Sequence, residues 1–313
     1  MALPGPARAG HDLRPGGPVT RAATGPVQVT GEVLGVKRAG AFHHLTLVAA
    51  GVAERFRPGT FVALTVGGDL SQRLLRRTFP IYRARPTGAY GGTVEVVLAT
   101  GDDGSDWLSR LGGGARLDVL GPLGRPFALP KEPVTCTLVG GGHASAPLFG
   151  LAERLRERGC AVHMVLGAAT ETRLFGALEA RRAAKTVIVT TEDGSVGMRG
   201  SVSAVLPDLL ARTSTDVVYA SGPHGLLHAA AEAAEAHGAW SQTAVETDMP
   251  CGTGVCQACV LPVVGEDGVT RMVRACTEGP VFRGDRVRWR DLGTVPSGTW
   301  GAPAPAPTGG PAR

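Results

Sequence analysis

Apolar and polar positions alternate in short runs over residues 27–129. Val27-Gln28-Val29-Thr30, His44-Leu45-Thr46-Leu47-Val48 and Thr93-Val94-Glu95-Val96-Val97-Leu98 are rich in β-branched residues and lie between Gly- and Pro-marked turns. A period of two at this spacing predicts half-buried strands, and several in succession predict a small antiparallel barrel. One helix, over 106–111, is expected to interrupt it. From about residue 134 the rhythm changes. Apolar strands are predicted over 134–139, 161–166, 186–190 and 216–220, each followed by helical text, with one amphipathic helix ending near Arg158. Strands alternating with helices predict a doubly wound parallel sheet. The stretch 245–292 is Cys- and Gly-rich, with short strands expected over 260–264 and 287–289. Residues 1–26 and 293–313 are rich in Pro, Gly and Ala without periodicity. They offer too little apolar surface to offset the entropy of ordering and are expected to be disordered.

The expected architecture is therefore β plus α/β, with a barrel domain over 27–129, a nucleotide domain over 130–244 and a small module over 245–292. A length of 313 residues with 43% hydrophobic residues is enough to build those cores. The net charge of +5 comes from 32 basic and 27 acidic residues, and only Lys37, Lys131 and Lys185 are lysines. The arginines are spread along the chain and aromatics are 5%, so the charge reads as a solvated surface and no nucleic-acid partner is expected. No run of about 18 apolar residues exists to span a membrane, and the N-terminus lacks the apolar stretch of a secretory signal. A cytoplasmic location is expected.

Six cysteines in such a chain favour metal or redox chemistry over disulfides. Cys251, Cys256 and Cys259 stand in C-x4-C-x2-C spacing, and Cys276 follows after 16 intervening residues. This is the spacing of a plant-type [2Fe–2S] site. The cluster needs two thiolates per iron, so one loop must wrap most of it, and Gly252 and Gly254 permit the dihedrals of that wrap. A structural zinc site would also use four cysteines, but usually as two short knuckles. Cys136 and Cys160 fall in apolar surroundings and read as small core hydrophobes.

A one-electron cluster is useful beside a flavin, which exchanges electrons singly with the cluster and in pairs with nicotinamide. In the barrel, Arg76-Arg77-Thr78-Phe79-Pro80-Ile81-Tyr82 places a fixed cation and a hydroxyl at a strand edge, and an Arg fork suits a pyrophosphate. Gly104 and Ser105 at the start of the barrel helix offer N–H groups and a hydroxyl to a phosphate. Further on, Gly140, Gly141 and Gly142 are expected to end a strand and open a helix, and Ser221-Gly222-Pro223-His224-Gly225 ends a later strand at the same edge. Two such turns at one carboxyl edge suggest a nucleotide site.

Read in order, these segments resemble the electron-transfer subunits of dihydroorotate dehydrogenase, iron–sulfur flavoproteins of the ferredoxin-reductase superfamily. The likeness spans roughly residues 27–290. It rests on Arg76 to Ile81, Gly121-Pro122-Leu123-Gly124, Gly140 to Gly142, Thr191-Glu192-Asp193-Gly194-Ser195, Ser221-Gly222-Pro223, Glu246 to Cys259, and Ala275-Cys276-Thr277-Glu278-Gly279-Pro280-Val281-Phe282. The resemblance implies an oxidoreductase subunit in which Arg77, Thr78, Phe79 and Pro80 contact FAD, with Gly104 and Ser105 at its phosphates. It implies that Gly140, Gly141, Gly142, Asp193 and Gly222 surround NAD, and that Cys251, Cys256, Cys259 and Cys276 hold the cluster. Electrons would pass between NAD, FAD, the cluster and the FMN of a separate catalytic chain, which converts dihydroorotate to orotate in pyrimidine biosynthesis. The assembly would be a heterotetramer of two chains of each kind. Two other readings stand beside it: a flavin/iron–sulfur reductase serving an oxygenase, hydrogenase or ferredoxin-like acceptor, and a zinc-stabilised binding protein. The chain departs from the family pattern at Ala144, where a fourth glycine is usual, and at Thr78-Phe79-Pro80, where Pro-Ile-Ser or similar is common.

Overall fold

Six strands close an antiparallel barrel: β1 (Val27–Ala39), β2 (Phe42–Val48), β3 (Phe61–Leu64), β4 (Arg77–Arg85), β5 (Thr93–Ala99) and β6 (Arg116–Leu123), in the order β1-β2-β5-β4-β3-β6. The computed structural model that shows this describes residues 25–68 and 71–302. Alternating burial along the strands is the cause of the closure. In β6, Leu117, Val119, Gly121 and Leu123 are buried while Arg116, Asp118, Leu120 and Pro122 are not. Leu45, Leu47, Val62, Leu64, Ile81, Val94, Val96, Leu98 and Val119 fill the interior. Each such side chain contributes roughly 1.5–3 kcal/mol by leaving water.

Two helices serve the barrel, α1 (Ala50–Ala53) and α2 (Asp103–Ser109). The second begins earlier than the expected 106 because Asp102 caps it, accepting from the Gly104 and Ser105 N–H groups at 2.9 and 3.2 Å.

The next domain is a doubly wound sheet. Its strands are β7 (Thr135–Gly141), β8 (Ala161–Ala168), β9 (Thr186–Thr191), β10 (Met198–Arg199), β11 (Val217–Gly222) and β12 (Trp240–Val245), ordered β10-β9-β8-β7-β11-β12 and all parallel. Both faces are covered. Cys136, Leu138 and Met164 pack against α3 (Pro147–Glu157) and α4 (Ala177–Ala183), with Cys160 in the same core. Val139, Val165, Val218 and Ala220 pack against α5 (Val202–Thr213) and α6 (His224–His237). Burial on both faces explains why these strands read as continuous apolar runs. The chain reverses direction along the sheet between β7 and β11, and that switch point sets where a ligand can enter.

The C-terminal module contains β13 (Val260–Val264), β14 (Thr270–Arg274), the one-turn helix α7 (Ala275–Glu278) and β15 (Val281–Arg283). It is not a free-standing unit. β15 pairs antiparallel with β12 and extends the nucleotide sheet, while Phe61 and Leu123 of the barrel share a core with Leu261, Cys259, Ala275 and Cys276. The strand expected over 287–289 is absent. Only Val287 bridges to Val263, and Trp289–Asp291 turns into a 3-10 helix, with Trp289 Nε1 donating to Gly284 O at 2.9 Å. Residues 293–302 fold back: Trp300 N donates to Thr270 O at 2.8 Å and Thr299 is buried. Ordered chain thus continues past the expected boundary at 292. The remaining terminal segments expected to be disordered, 1–24 and 303–313, lie outside the described residues. Among the described residues no helix is long and apolar enough to cross a membrane.

Where barrel and module meet, Gly124 has φ +77° and Arg125 N donates to Gly279 O at 2.6 Å. A Cβ at Gly124 would stand 2.6 Å from Pro280 Cδ and 2.9 Å from the Gly279 carbonyl. Gly124→Ala therefore combines left-handed strain with a backbone clash, and is expected to destabilise the protein by about 3 kcal/mol. Urea denaturation checks it; an unchanged midpoint would mean that this junction yields freely.

Candidate electron-transfer site

Strand β4 is the element on which the barrel side of the site is built. Alternation places Phe79 inside, where it packs in the barrel core. That corrects the expectation for its side chain, which faces away from any ligand on the outer face and leaves only its backbone there. Thr78, Pro80 and Tyr82 take the outer face. Thr78 lies against the cysteine loop: its Cγ2 is 3.4 Å from where a Gly252 Cβ would be. Tyr82 is buried among Phe149, Phe175 and His44 at the nucleotide domain. Pro80 between them is exposed. The outer face of one strand thus touches the cysteine loop at one end and the nucleotide domain at the other, with an open position midway.

The nucleotide-domain end is latched by one carboxylate. Glu179 of α4 accepts from both the Tyr82 hydroxyl and the Arg83 guanidinium, and Glu153 of α3 lies 3.6 Å from Arg83. Burial, reinforced by Glu179, pushes the Tyr82 phenol far above its ordinary range. The latch was not read from the sequence, because its partners lie nearly 100 residues apart and carry no local signal.

Arg77 reaches from the start of β4 to α2. Its Nε lies 3.5 Å from Asp102 Oδ1, and a Cβ at Gly104 would stand 2.9 Å from Arg77 Cγ, so glycine makes room for the arginine. Arg77, Gly104 and Ser105 are therefore together, as expected. The backbone donors of Gly104 and Ser105 are engaged by Asp102, however. Desolvation pushes the Asp102 carboxyl up, but hydrogen bonds from Ser105, Gly104 and Arg77 outweigh it and hold the group below the usual carboxylate range. Asp102 occupies the position at the helix N-terminus that the sequence offered to a phosphate. The signal missed was an aspartate immediately before the helix.

At the sheet edge, the three glycines do different things. Gly140 and Gly141 belong to β7, so the strand runs further than the residue-139 end read from the sequence. A Cβ at Gly140 would stand 2.5 Å from Ser145 Cβ, and one at Gly141 would stand 2.8 Å from Pro223 Cδ. Both serve close packing. Gly142 has φ +51° and opens a 3-10 turn, Gly142–Ser145, before α3. Gly222 ends β11 beside Gly141, across the switch point. Ala144, the departure from the family pattern, is buried, and its carbonyl accepts from Ser221 Oγ at 2.6 Å; Ser145 Oγ closes the same turn onto Gly142 O at 2.7 Å. His143 sits beside Phe42, ring centroids 5.5 Å apart; burial lowers its pKa, with Arg173 in the same direction and Glu246 opposing. Asp193 follows β9, two strands from β7 and so about 10 Å along the edge. It is exposed and accepts from Ser195 N and Oγ at 3.0 and 2.7 Å, which hold its carboxyl below the ordinary value.

The cysteine loop is built from left-handed residues. Gly252 and Gly254 have φ of +66° and +84°, as expected, and Gln257 has φ +56° without the glycine that would make it easy. Cys251 and Cys256 lie at the surface side, while Cys259 and Cys276 are each 1% exposed. Desolvation raises the Cys251 thiol, but N–H groups of Cys256 and Thr253 outweigh it and bring it down to about 6; the Thr253 N–H donates at 3.4 Å. Burial and the neighbouring Cys259 push Cys276 up to about 12, while the Gly254 N–H opposes. Among the described residues no three His, Cys, Asp or Glu side chains converge on a single metal position.

Residues 246–288 match the family described as the iron–sulfur cluster binding domain of dihydroorotate dehydrogenase B. The chain is 37% identical, over 78% of its length and 92% of the relative's, to the "Dihydroorotate dehydrogenase B (NAD(+)), electron transfer subunit" of Geobacillus thermodenitrificans (strain NG80-2). The chain belongs to this family of electron transfer subunits. It is also 35% identical to the member from Streptococcus pneumoniae serotype 4 (strain ATCC BAA-334 / TIGR4), over 74% of this chain and 89% of that one. Among solved structures it is similar to a chain of the NADH-dependent reduced ferredoxin–NADP oxidoreductase that bifurcates electrons on flavin. That likeness has a TM-score of 0.71 and 28% identity, covering 88% of this chain and 93% of that one.

Proposed function

We propose that this chain carries electrons between a catalytic dihydroorotate dehydrogenase subunit and NAD+, using FAD and a [2Fe–2S] cluster. The packing of β4 beside the cysteine loop carries the reading: a Cβ on Gly252 would meet Thr78 Cγ2 at 3.4 Å, so the strand proposed for the flavin and the loop are neighbours. Bound flavin exchanges electron pairs with nicotinamide and single electrons with the cluster, which relays them onward. The chain's residues supply the sites. Cys251, Cys256, Cys259 and Cys276 would hold the cluster. Thr78, Pro80 and the backbone of Phe79 line the open position on β4. Arg77 meets the flavin's phosphates, with Gly104 and Ser105 beside it once Asp102 releases their donors. Gly142 and Gly222 flank the switch point where the nicotinamide nucleotide enters, while Gly140 and Gly141 keep that edge closely packed.

Asp193, exposed after β9 at the same sheet edge, is the carboxylate we assign to a ribose of such a nucleotide. An ionised carboxylate accepts from a ribose 2′-hydroxyl and repels a 2′-phosphate. Asp193→Ala is expected to raise KM for NADH about tenfold and to narrow the preference over NADPH. Steady-state flavin reduction with both nucleotides checks this; an unchanged ratio of the two KM values would remove Asp193 from the site.

The function itself is tested by reconstitution. Anaerobically purified chain should contain flavin, iron and acid-labile sulfide, and should let a catalytic dihydroorotate dehydrogenase chain reduce NAD+. Equal NAD+ reduction by the catalytic chain alone would defeat the reading. The likeness to the electron-bifurcating reductase makes a ferredoxin acceptor the comparison arm.

A further inference from the structure

We propose that the Thr277 hydroxyl donates a hydrogen bond to the sulfur of the cluster and so raises its reduction potential. The inference rests on the reading that the four cysteines hold a [2Fe–2S] cluster, and it concerns a residue that binds no iron. Thr277 follows Cys276 in α7, and its Oγ1 is sealed from solvent without a hydrogen-bond partner among the described residues. Four other threonine hydroxyls are satisfied by carbonyls: Thr60 donates to Arg57 O, Thr191 to Val196 O, Thr213 to Leu209 O and Thr299 to Pro296 O, all at 2.7 Å, whereas Thr190 Oγ1, in β9 and far from the cysteines, shares the condition of Thr277. A buried hydroxyl without a partner costs about 1–3 kcal/mol, so this donor is expected to have an acceptor in the working protein.

Its surroundings narrow what that acceptor is. The Thr277 methyl fills the notch left by Gly254, with Cγ2 at 2.8 Å and Oγ1 at 3.6 Å from where a Gly254 Cβ would stand. The Gly254 carbonyl already accepts from Arg274 Nη1 at 3.3 Å, and its N–H is directed at Cys276. With both polar groups of that peptide engaged, the cluster sulfur that the adjacent Cys276 would bring to this end of α7 is the acceptor we assign to the hydroxyl. The seated methyl restricts χ1, because a β-branched side chain has few rotamers, and that restriction holds the hydroxyl on one side. A cluster gains negative charge on reduction. A donor to its sulfur therefore favours the reduced form and raises the potential.

The test is an EPR-monitored redox titration of the full chain, wild type against Thr277→Val, Thr277→Ala and Thr277→Ser, with iron and sulfide counted first. Wild-type protein lacking iron and sulfide would defeat the cluster assignment itself. With the cluster present, Val and Ala are expected to lower the equilibrium constant for its reduction about tenfold, which is about 59 mV downward for one electron. Ser, which keeps the hydroxyl, should stay close to wild type. Failure of Val and Ala to load a cluster that Ser loads would also place the hydroxyl on it. Unshifted midpoints in Val and Ala would overturn the proposal and leave the assignment standing. So would a Ser variant that shifts as far as Val, or that fails to load, because packing of the methyl would then be the cause.

Discussion

Replacing Cys259 with Ser is expected to empty the cluster site while leaving the flavin reducible by NADH. Iron and acid-labile sulfide should fall to background, and electron delivery to or from the catalytic subunit should be lost. The reason is burial. Cys259 is 1% exposed and shares its pocket with Cys276, Ala275 and Leu261, so no water can replace the lost thiolate. A serine hydroxyl is far less acidic than a thiol and is a poor soft ligand. Cys256, at the surface, offers the internal comparison: Cys256→Ser leaves a position that solvent can reach and should retain more iron. NADH reduction of the flavin survives in both, because it depends on the sheet edge and on β4. Full iron and sulfide in Cys259→Ser would show that the ligand set has been assigned wrongly.

Arg77→Ala is expected to weaken FAD binding by roughly 10- to 100-fold, the loss of charge-assisted hydrogen bonds to a phosphate. The effect is not charge alone. Arg77 lies over Gly104, and its removal leaves Asp102 at the helix N-terminus without the nearby cation. An unopposed carboxylate would then face an anionic ligand. Arg77→Lys keeps the charge but loses the planar fork, and should fall between wild type and Ala. Equilibrium dialysis of released flavin measures this directly. Undiminished affinity in Arg77→Ala would move the phosphates elsewhere, and Arg76, 2.9 Å from Asp118, would not be available in its place without breaking that pair.

Much of the fold was legible because burial imprints a period on the chain. The alternation over Thr93–Leu98 and the mostly apolar runs of β7, β8 and β11 report one covered face and two covered faces respectively. The cysteine spacing was legible for another reason: a loop that wraps a cluster has to present its ligands at short, fixed intervals. What remained hidden were pairings between distant segments. Nothing near Thr78 signals Gly252, and nothing near Val281–Arg283 signals that so short a strand joins β12. The error at residues 287–289 has the same origin, since an apolar–polar–aromatic triplet suits an edge bridge and a 3-10 turn equally. Phe79 misled in the opposite direction. Its aromatic ring suggested a ligand contact, whereas its place in the alternation of β4, readable from Thr78 to Ile81, put it inside.

Because β15 is hydrogen-bonded into the nucleotide sheet, five residues after Cys276, the cysteine module and the nucleotide domain make one mechanical body. The barrel is tied to that body at the Glu179 latch, at the Arg125–Gly279 hydrogen bond and through the apolar core that Phe61 and Leu123 share with Cys259 and Cys276. A movement that opened the latch would therefore strain the packing around the two buried cysteines as well, so a cross-link across the latch would be felt at both ends of β4.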